Sequence, residues 1–376
     1  MRIAVNTRLL LKGGMEGIGW YGYETLSRIV RRHPEHEFIF LFDRPFSRDF
    51  LFAENVSGMW MPPPTRHLKL YPFWFQYALP FMIRRSKADL FLSIDGHSTI
   101  ATAVPTLLVI HDIYFHHYSN LLSAGWNNYL NYWTPRFAAQ AQRIATVSEY
   151  TKSDLVKSYG LDPLKIDVTP NGFNPRYTAL SEIEKQLVRK QYSNGRPYFL
   201  FVGLIIKRKN LHRLMEAYDK FRKQTGQEIA LVVVGKRKWW DADHETVYQQ
   251  MQFKADVVFT DRLEPDELSK VMAAALALTY VPVFEGFGIP ILEGFASGIP
   301  VLTSNVTSMP EVGGNAAMYT NPFDVDDIAH KLEILAGDET LRMAMIGRGL
   351  ARKDQFSWDL TATKLWECIQ ITAGLA

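Results

Sequence analysis

The 376-residue chain holds a single cysteine, Cys368. That excludes an intramolecular disulfide and any cysteine-rich zinc site, and it fits a reducing compartment. Charge of neither sign is in excess: 42 lysines and arginines stand against 39 aspartates and glutamates. A dedicated nucleic-acid binder would concentrate a basic surplus, so nucleic acid is not an expected partner. No apolar run approaches the ~20 residues that span a bilayer. The first residues, Met1-Arg2-Ile3-Ala4-Val5, enter a strand-like run rather than a secretory leader. There is no low-complexity tract and no short-period repeat. A soluble, cytoplasmic protein is the expectation.

What remains is an ordinary globular composition, 47% hydrophobic and 22% charged, in a chain long enough for about two domains. Apolar and β-branched runs predict strands at 2–7, 38–43, 90–93, 106–110 and 144–147, and again at 198–202, 229–234, 257–260, 277–280 and 301–303. Helical patterns fall between them, at 22–31, 74–84, 126–142, 150–159, 211–223, 265–275 and 290–297. Such alternation implies parallel sheets with right-handed crossovers. A proline- and glycine-punctuated stretch divides the chain into a domain at 1–170, a linker at 171–197 and a second domain at 198–355. A terminal helix at 356–376 is expected to return to the first domain. The expected fold class is α/β, two Rossmann-like doubly wound domains facing a central cleft, with ligands beyond the carboxyl ends of the strands.

Four stretches just past strand ends carry candidate chemistry. Lys12-Gly13-Gly14-Met15-Glu16-Gly17-Ile18-Gly19-Trp20-Tyr21 follows the first strand. Its glycines either loosen a loop or let backbone N–H groups approach an anion. With Asp43 closing the second strand, a dinucleotide site is one reading. However, the spacing is Gly-x-x-Gly-x-Gly and the loop is too long for that fingerprint's tight turn. No nicotinamide or flavin is expected. Val109-Ile110-His111-Asp112 runs a strand straight into a histidine, which is structural in most settings but stands here where active sites gather. His116 and His117 lack a matching acidic cluster, so no metal site is expected.

The third stretch, Gly203 through Asn210, sets Lys207, Arg208 and Lys209 at a helix N-terminus. Three cations oppose the helix dipole there unless an anion compensates. That favours a phosphate over a solvated charge run. The fourth is Glu285-Gly286-Phe287-Gly288-Ile289-Pro290-Ile291-Leu292-Glu293. Pro290 suits a first helical turn, and glycines before a helix invite an anion, yet the stretch brings two carboxylates of its own. A nucleotide-sugar reconciles these features. Arg208 and Lys209 would neutralise its diphosphate, while Glu293 and Glu285 would accept hydrogen bonds from the ribose and sugar hydroxyls on either side.

The Glu-x7-Glu spacing of Glu285 and Glu293 resembles the signature of retaining GT-B glycosyltransferases of the group 1, mannosyltransferase-like family. Gly17-Ile18-Gly19-Trp20-Tyr21 is similar to its acceptor-side glycine loop, and His111-Asp112 to its N-domain histidine motif. Val147-Ser148-Glu149-Tyr150 with Pro170-Asn171-Gly172 resembles its inter-domain pattern. Gly203 through Asn210 resembles the Arg-Lys-Asn version of its phosphate site, and Ser304 through Val312 the segment after the signature helix. In this order the motifs cover nearly the whole chain.

The resemblance implies transfer of a hexose from a nucleotide-sugar to a saccharide or lipid-linked saccharide acceptor, with retention and without a metal or other cofactor. It implies His111, Glu285, Arg208 and Lys209 as the catalytic group. Glu293, Gly286, Phe287, Gly288, Ile289, Arg262 and Leu263 would bind the donor, with base selection near 235–238 and 260–263. Gly17, Ile18 and Gly19 would face the acceptor. The Arg-Lys-Asn form leans the donor toward GDP-mannose, with a UDP-sugar as the alternative. A sugar-nucleotide epimerase or a non-catalytic nucleotide-sugar-binding protein would share the architecture.

Leu204 stands where many relatives carry arginine, which leaves open which of Lys207, Arg208 and Lys209 supplies the charge. Asp241-Ala242-Asp243 and Asp324-Val325-Asp326 spell a metal pattern of a different glycosyltransferase fold and are read as chance. Between 66 and 87, Arg66, Lys69, Arg84, Arg85 and Lys87 lie among six aromatics, Tyr71, Phe73, Trp74, Phe75, Tyr77 and Phe81. This predicts either peripheral contact with an anionic membrane or the packed face of a core helix.

Overall fold

The computed structural model describes residues 1–237 and 240–375. Seven strands build the first sheet: β1 (Arg2–Asn6), β2 (Glu37–Phe42), β3 (Val56–Trp60), β4 (Leu90–Ser93), β5 (Thr106–Ile110), β6 (Arg143–Thr146) and β7 (Ile166–Val168). Their order is β3-β2-β1-β4-β5-β6-β7, and every pairing is parallel. Six more build the second: β8 (Tyr198–Val202), β9 (Ala230–Val234), β10 (Val257–Asp261), β11 (Ala277–Tyr280), β12 (Val301–Ser304) and β13 (Met318–Thr320). These run β10-β9-β8-β11-β12-β13, again all parallel. Both are Rossmann-like sheets. The central strands are buried along their whole length and read as continuous apolar runs, because helices cover both faces.

The expected strands are present to within a residue or two. The three that periodicity does not reveal, β3, β7 and β13, all lie at sheet edges. An edge strand buries little, and β3 reads Val-Ser-Gly-Met-Trp with only Val56 fully buried, so no clean alternation marks it.

The chain forms two units, Met1–Gly172 with Ser357–Ala376, and Phe173–Phe356. The stretch read as a linker therefore mostly belongs to the second unit. Its helix, Glu182–Ser193, starts with a Ser181/Glu184 capping box and packs on Pro265–Ala274. The terminal helix Trp358–Thr372 packs on Gly17–Arg32 within the first unit. There Trp366 stacks on His33 with ring centroids 3.7 Å apart.

One helix starts earlier than its pattern suggests. Gly17, Ile18 and Gly19, expected in a loop, form the first turn of Gly17–Arg32. Gly19 permits this: a Cβ there would lie 2.7 Å from the carbonyl oxygen of Leu9.

Candidate active site

Each sheet reverses its winding once, between β1 and β4 in the first and between β8 and β11 in the second. Ligands of open α/β sheets bind beyond the carboxyl ends of the strands at such a point.

In the second unit, the chain leaves β8 and makes a short turn over Lys207–Lys209. It then enters helix Leu211–Thr225 through Asn210, whose φ of 64° is left-handed. The fully buried Asn210 side chain donates to the carbonyls of Val281 at 3.0 Å and Pro322 at 2.7 Å. The main-chain oxygen of Arg208 accepts from Val283 N–H at 2.9 Å. These bonds lash the connection after β8 to the one after β11, and two cations are thereby aimed at Glu285. Arg208 donates to Glu285 Oε1 and, at 3.3 Å, to the Phe284 carbonyl. Lys209 Nζ reaches the same Oε1 at 2.6 Å and the Tyr280 hydroxyl at 2.6 Å. Tyr280 also hydrogen-bonds the Glu285 carboxylate, and the Ser308 hydroxyl donates to the Glu285 carbonyl at 2.8 Å.

Burial would raise the Glu285 carboxyl, but Arg208 and Lys209 outweigh it and hold the group below its ordinary value. Lys207 turns elsewhere, to Asp243 at 2.7 Å and Asp241 at 3.7 Å. Of the three consecutive cations, Arg208 and Lys209 are therefore the pair at the strand ends. The two Asp-x-Asp motifs also find an explanation. Asp241 caps Ala242–Gln250 by accepting from the N–H groups of Asp243 and His244, and Asp324 caps Val325–Gly337 in the same way. Among the described residues, no three His, Cys, Asp or Glu side chains gather as a metal-ligand set.

Glu293 sits in the second turn of helix Ile289–Ala296, past the reach of a simple first-turn acid. Burial pushes its carboxyl up to about 7, against the lowering effect of a hydrogen bond from Tyr177 and the charge of Arg176. Gly288 caps this helix with φ 97°, and a Cβ there would meet the Met309 methyl at 2.7 Å, so the turn demands glycine. Gly286 is buried, and Ile289 opens the helix. The Phe287 side chain packs edge-on against Phe356, with centroids 5.8 Å apart, and seats the loop in the core. Arg262, exposed, and Leu263, half-buried, follow β10. Lys238, part of the expected base-selecting loop, lies outside the described residues.

In the first unit, His111 follows β5 directly. Its Nε2 lies 2.8 Å from the carbonyl oxygen of Ile94. A carbonyl only accepts, so Nε2 carries the proton. Burial lowers the imidazole pKa, which leaves Nδ1 with a lone pair in the neutral ring. Tyr21, from the same helix that Gly17, Ile18 and Gly19 begin, meets the ring edge-on at 4.8 Å.

Sequence reasoning missed Tyr280 and Tyr177. Tyr280 had a signal, a hydroxyl-tipped ring closing an otherwise apolar strand. Tyr177 had none, since it lies in a stretch read as a linker.

Residues 182–352 match the family described as Glycosyl transferases group 1, and residues 15–177 match Glycosyltransferase Family 4. A glycosyltransferase family model thus matches each half of the chain. A relative in Escherichia coli, O-antigen chain mannosyltransferase B, is 33% identical over 226 residues, which are 60% of this chain and 59% of the relative. The match thus spans less than two thirds of that protein. The O-antigen chain mannosyltransferase RfbU of Salmonella typhimurium is 28% identical over 269 residues, 72% of this chain and 71% of the relative. The crystal structure of Anabaena Alr3699/HepE in complex with UDP and glucose superposes with a TM-score of 0.73 at 15% identity, covering 98% of this chain and 99% of that one. That likeness shows the fold, GT-B.

Proposed function

We propose that this chain is a group 1 glycosyltransferase that transfers mannose from GDP-mannose, with retention and without a metal, to a saccharide or lipid-linked saccharide acceptor. The observation that carries this reading is the convergence of Arg208 and Lys209 on one carboxylate oxygen of Glu285 at the β8/β11 reversal. Two cations side by side at the strand ends are a pairing that suits a diphosphate. In this reading the diphosphate takes over both cations, which then stabilise the charge that develops as it leaves. Glu285, released from them, accepts from donor-sugar hydroxyls, and Glu293 from the ribose. Gly286, Phe287, Gly288 and Ile289 offer the N-terminal end of their helix to the phosphates, while Arg262 and Leu263 flank the base. Neutral His111 accepts a sugar hydroxyl at Nδ1, and Gly17, Ile18 and Gly19 serve the acceptor side.

With Glu285 given over to hydroxyls, no enzyme nucleophile is needed. The anomeric C–O bond to the diphosphate breaks, the acceptor oxygen bonds from the same face, and its proton passes to the departing phosphate oxygen. Mannose as the sugar is supported by the names of the two bacterial relatives. The Anabaena complex with UDP and glucose makes a UDP-sugar the alternative donor.

Melting scans with GDP, UDP and ADP and their sugar conjugates, with and without chelator, test the reading. Ligand at ~100 times its dissociation constant stabilises by about 2.7 kcal/mol. A chelator-insensitive shift from GDP and GDP-mannose is expected. A shift from UDP alone would select the alternative, and no shift from any nucleotide would overturn the reading.

A further inference from the structure

Residues 66–87 hold five basic side chains and no acidic one. From Leu70 to Ser86 they form one continuous helical run, α at Leu70–Phe73, π at Trp74–Ala78 and α again at Leu79–Ser86. Two apolar sets leave this helix on different sides. Trp74, Phe75, Ala78, Leu79, Met82 and Ile83 are buried in the core cluster that packs on the sheet. Phe73, Tyr77 and Phe81 are 52%, 69% and 48% exposed. The rings of Phe73 and Tyr77 lie 5.5 Å apart. Ile100, 44% exposed, adjoins them, since its N–H donates to Gln76 Oε1 at 3.2 Å.

The π turn lies within this division. In a plain α-helix, residues spaced by four drift steadily around the axis. The wider i→i+5 turn at Trp74–Ala78 slows that drift between Phe73 and Phe81. Three exposed aromatic rings at intervals of four residues, two of them paired, are more than the single surface hydrophobics any protein shows, and such a patch marks an interaction surface. Arg66 and Lys69 precede it in sequence, Arg84, Arg85 and Lys87 follow it, and all five are exposed.

We propose that this face docks on an anionic lipid surface, with the rings in the interfacial layer and the basic side chains on lipid phosphates. The charge pattern selects this occupant. A second copy of the chain would set the same five cations against each other, whereas a bilayer supplies distributed negative charge and apolar depth together. Among the described residues, no helix is long and apolar enough to cross a membrane, so the contact is peripheral. The proposal stands on the surface alone and does not depend on the donor.

Vesicle flotation of the full chain tests it, with phosphatidylcholine alone or mixed with phosphatidylglycerol. The protein is expected to float with the anionic vesicles and to remain in solution with the neutral ones. F73S/Y77S/F81S and, separately, R84E/R85E are each expected to weaken partition about tenfold or more. Both should keep the wild-type melting temperature, because the substituted side chains are exposed; if the triple variant fails to fold, the arginine variant decides. Wild type that stays in solution with anionic vesicles, or folded variants that float as well as wild type, would overturn the proposal. So would vesicle-free self-association in sedimentation velocity that the triple variant abolishes, which would make a second copy the occupant.

Discussion

Beyond β1 and β4, Arg8 meets Asp95; beyond β8 and β11, Arg208 and Lys209 meet Glu285. The two sheets thus place a cation and a carboxylate at the same topological point. The first pair is sealed. Arg8 Nε lies 2.6 Å from Asp95 Oδ2, its Nη1 donates to the hydroxyls of Thr65 and Tyr71 at 3.2 and 3.0 Å, and its guanidinium lies over the rings of Tyr71 and Phe75. Asn6 donates to the other Asp95 oxygen at 2.9 Å. Both partners are buried and follow their strands closely. The second cluster sits on longer connections, and there one carboxylate oxygen serves two cations. The lesson is that topology supplies the meeting place in both sheets, while the length of the connections sets how closely the partners follow their strands; in the proposed function the second cluster exchanges its carboxylate for a ligand.

The comparison can be broken most severely at the first clasp. Asp95→Ala removes the carboxylate paired directly with a buried guanidinium, and a loss of about 3–5 kcal/mol is expected in chemical denaturation. A loss under about 1 kcal/mol would show that the clasp is not structural. At the second cluster the damage should fall on function instead. Arg208→Ala with Lys209→Ala is expected to cut turnover about 10²–10³-fold, measured as nucleoside diphosphate release, and near-normal turnover would sink the phosphate assignment.

Glu293 gives a pH test. Its carboxyl is raised from 4.5 to about 7 in the fold, so the folded state binds more protons than the unfolded one in that window. Stability should therefore decline as pH rises from 4.5 through about 7, by on the order of 1–3 kcal/mol. Glu293→Gln should flatten that slope in melting scans against pH; an unchanged slope would place its origin elsewhere.

Glu285→Gln sharpens the exchange idea through opposite signs. Losing the competing carboxylate should tighten free nucleoside diphosphate about tenfold, while the nucleotide-sugar binds more weakly and transfer slows. Calorimetry showing both ligands weakened would mean that Glu285 does not compete for the cations. The smallest effect belongs to Lys207→Ala. Its pair with Asp243 is exposed, so a change under about 1 kcal/mol in stability and little change in turnover are expected.

Much of the fold and of the candidate site is legible in the amino-acid sequence because it is local. Strand and helix periods are short-range properties of the chain, and a residue at the end of a parallel strand faces the ligand-binding edge whatever follows it. The sequence by itself therefore determined the two α/β sheets, their central strands, and the stretches that hold Arg208, Lys209, Glu285, Glu293 and His111. It could not determine side-chain direction, which depends on contacts distant in sequence. Only the tertiary structure turned Lys207 to Asp243 and its two neighbours to Glu285, by lashing the β8 and β11 connections together through Asn210. Only it recruited Tyr280 and Tyr177, and drew Gly17, Ile18 and Gly19 into a helix over the Leu9 carbonyl. It alone split the aromatics of 70–86 into a buried set and an exposed one. Period and composition are carried by neighbours along the chain, but which polar or aromatic group faces which is decided by packing across it.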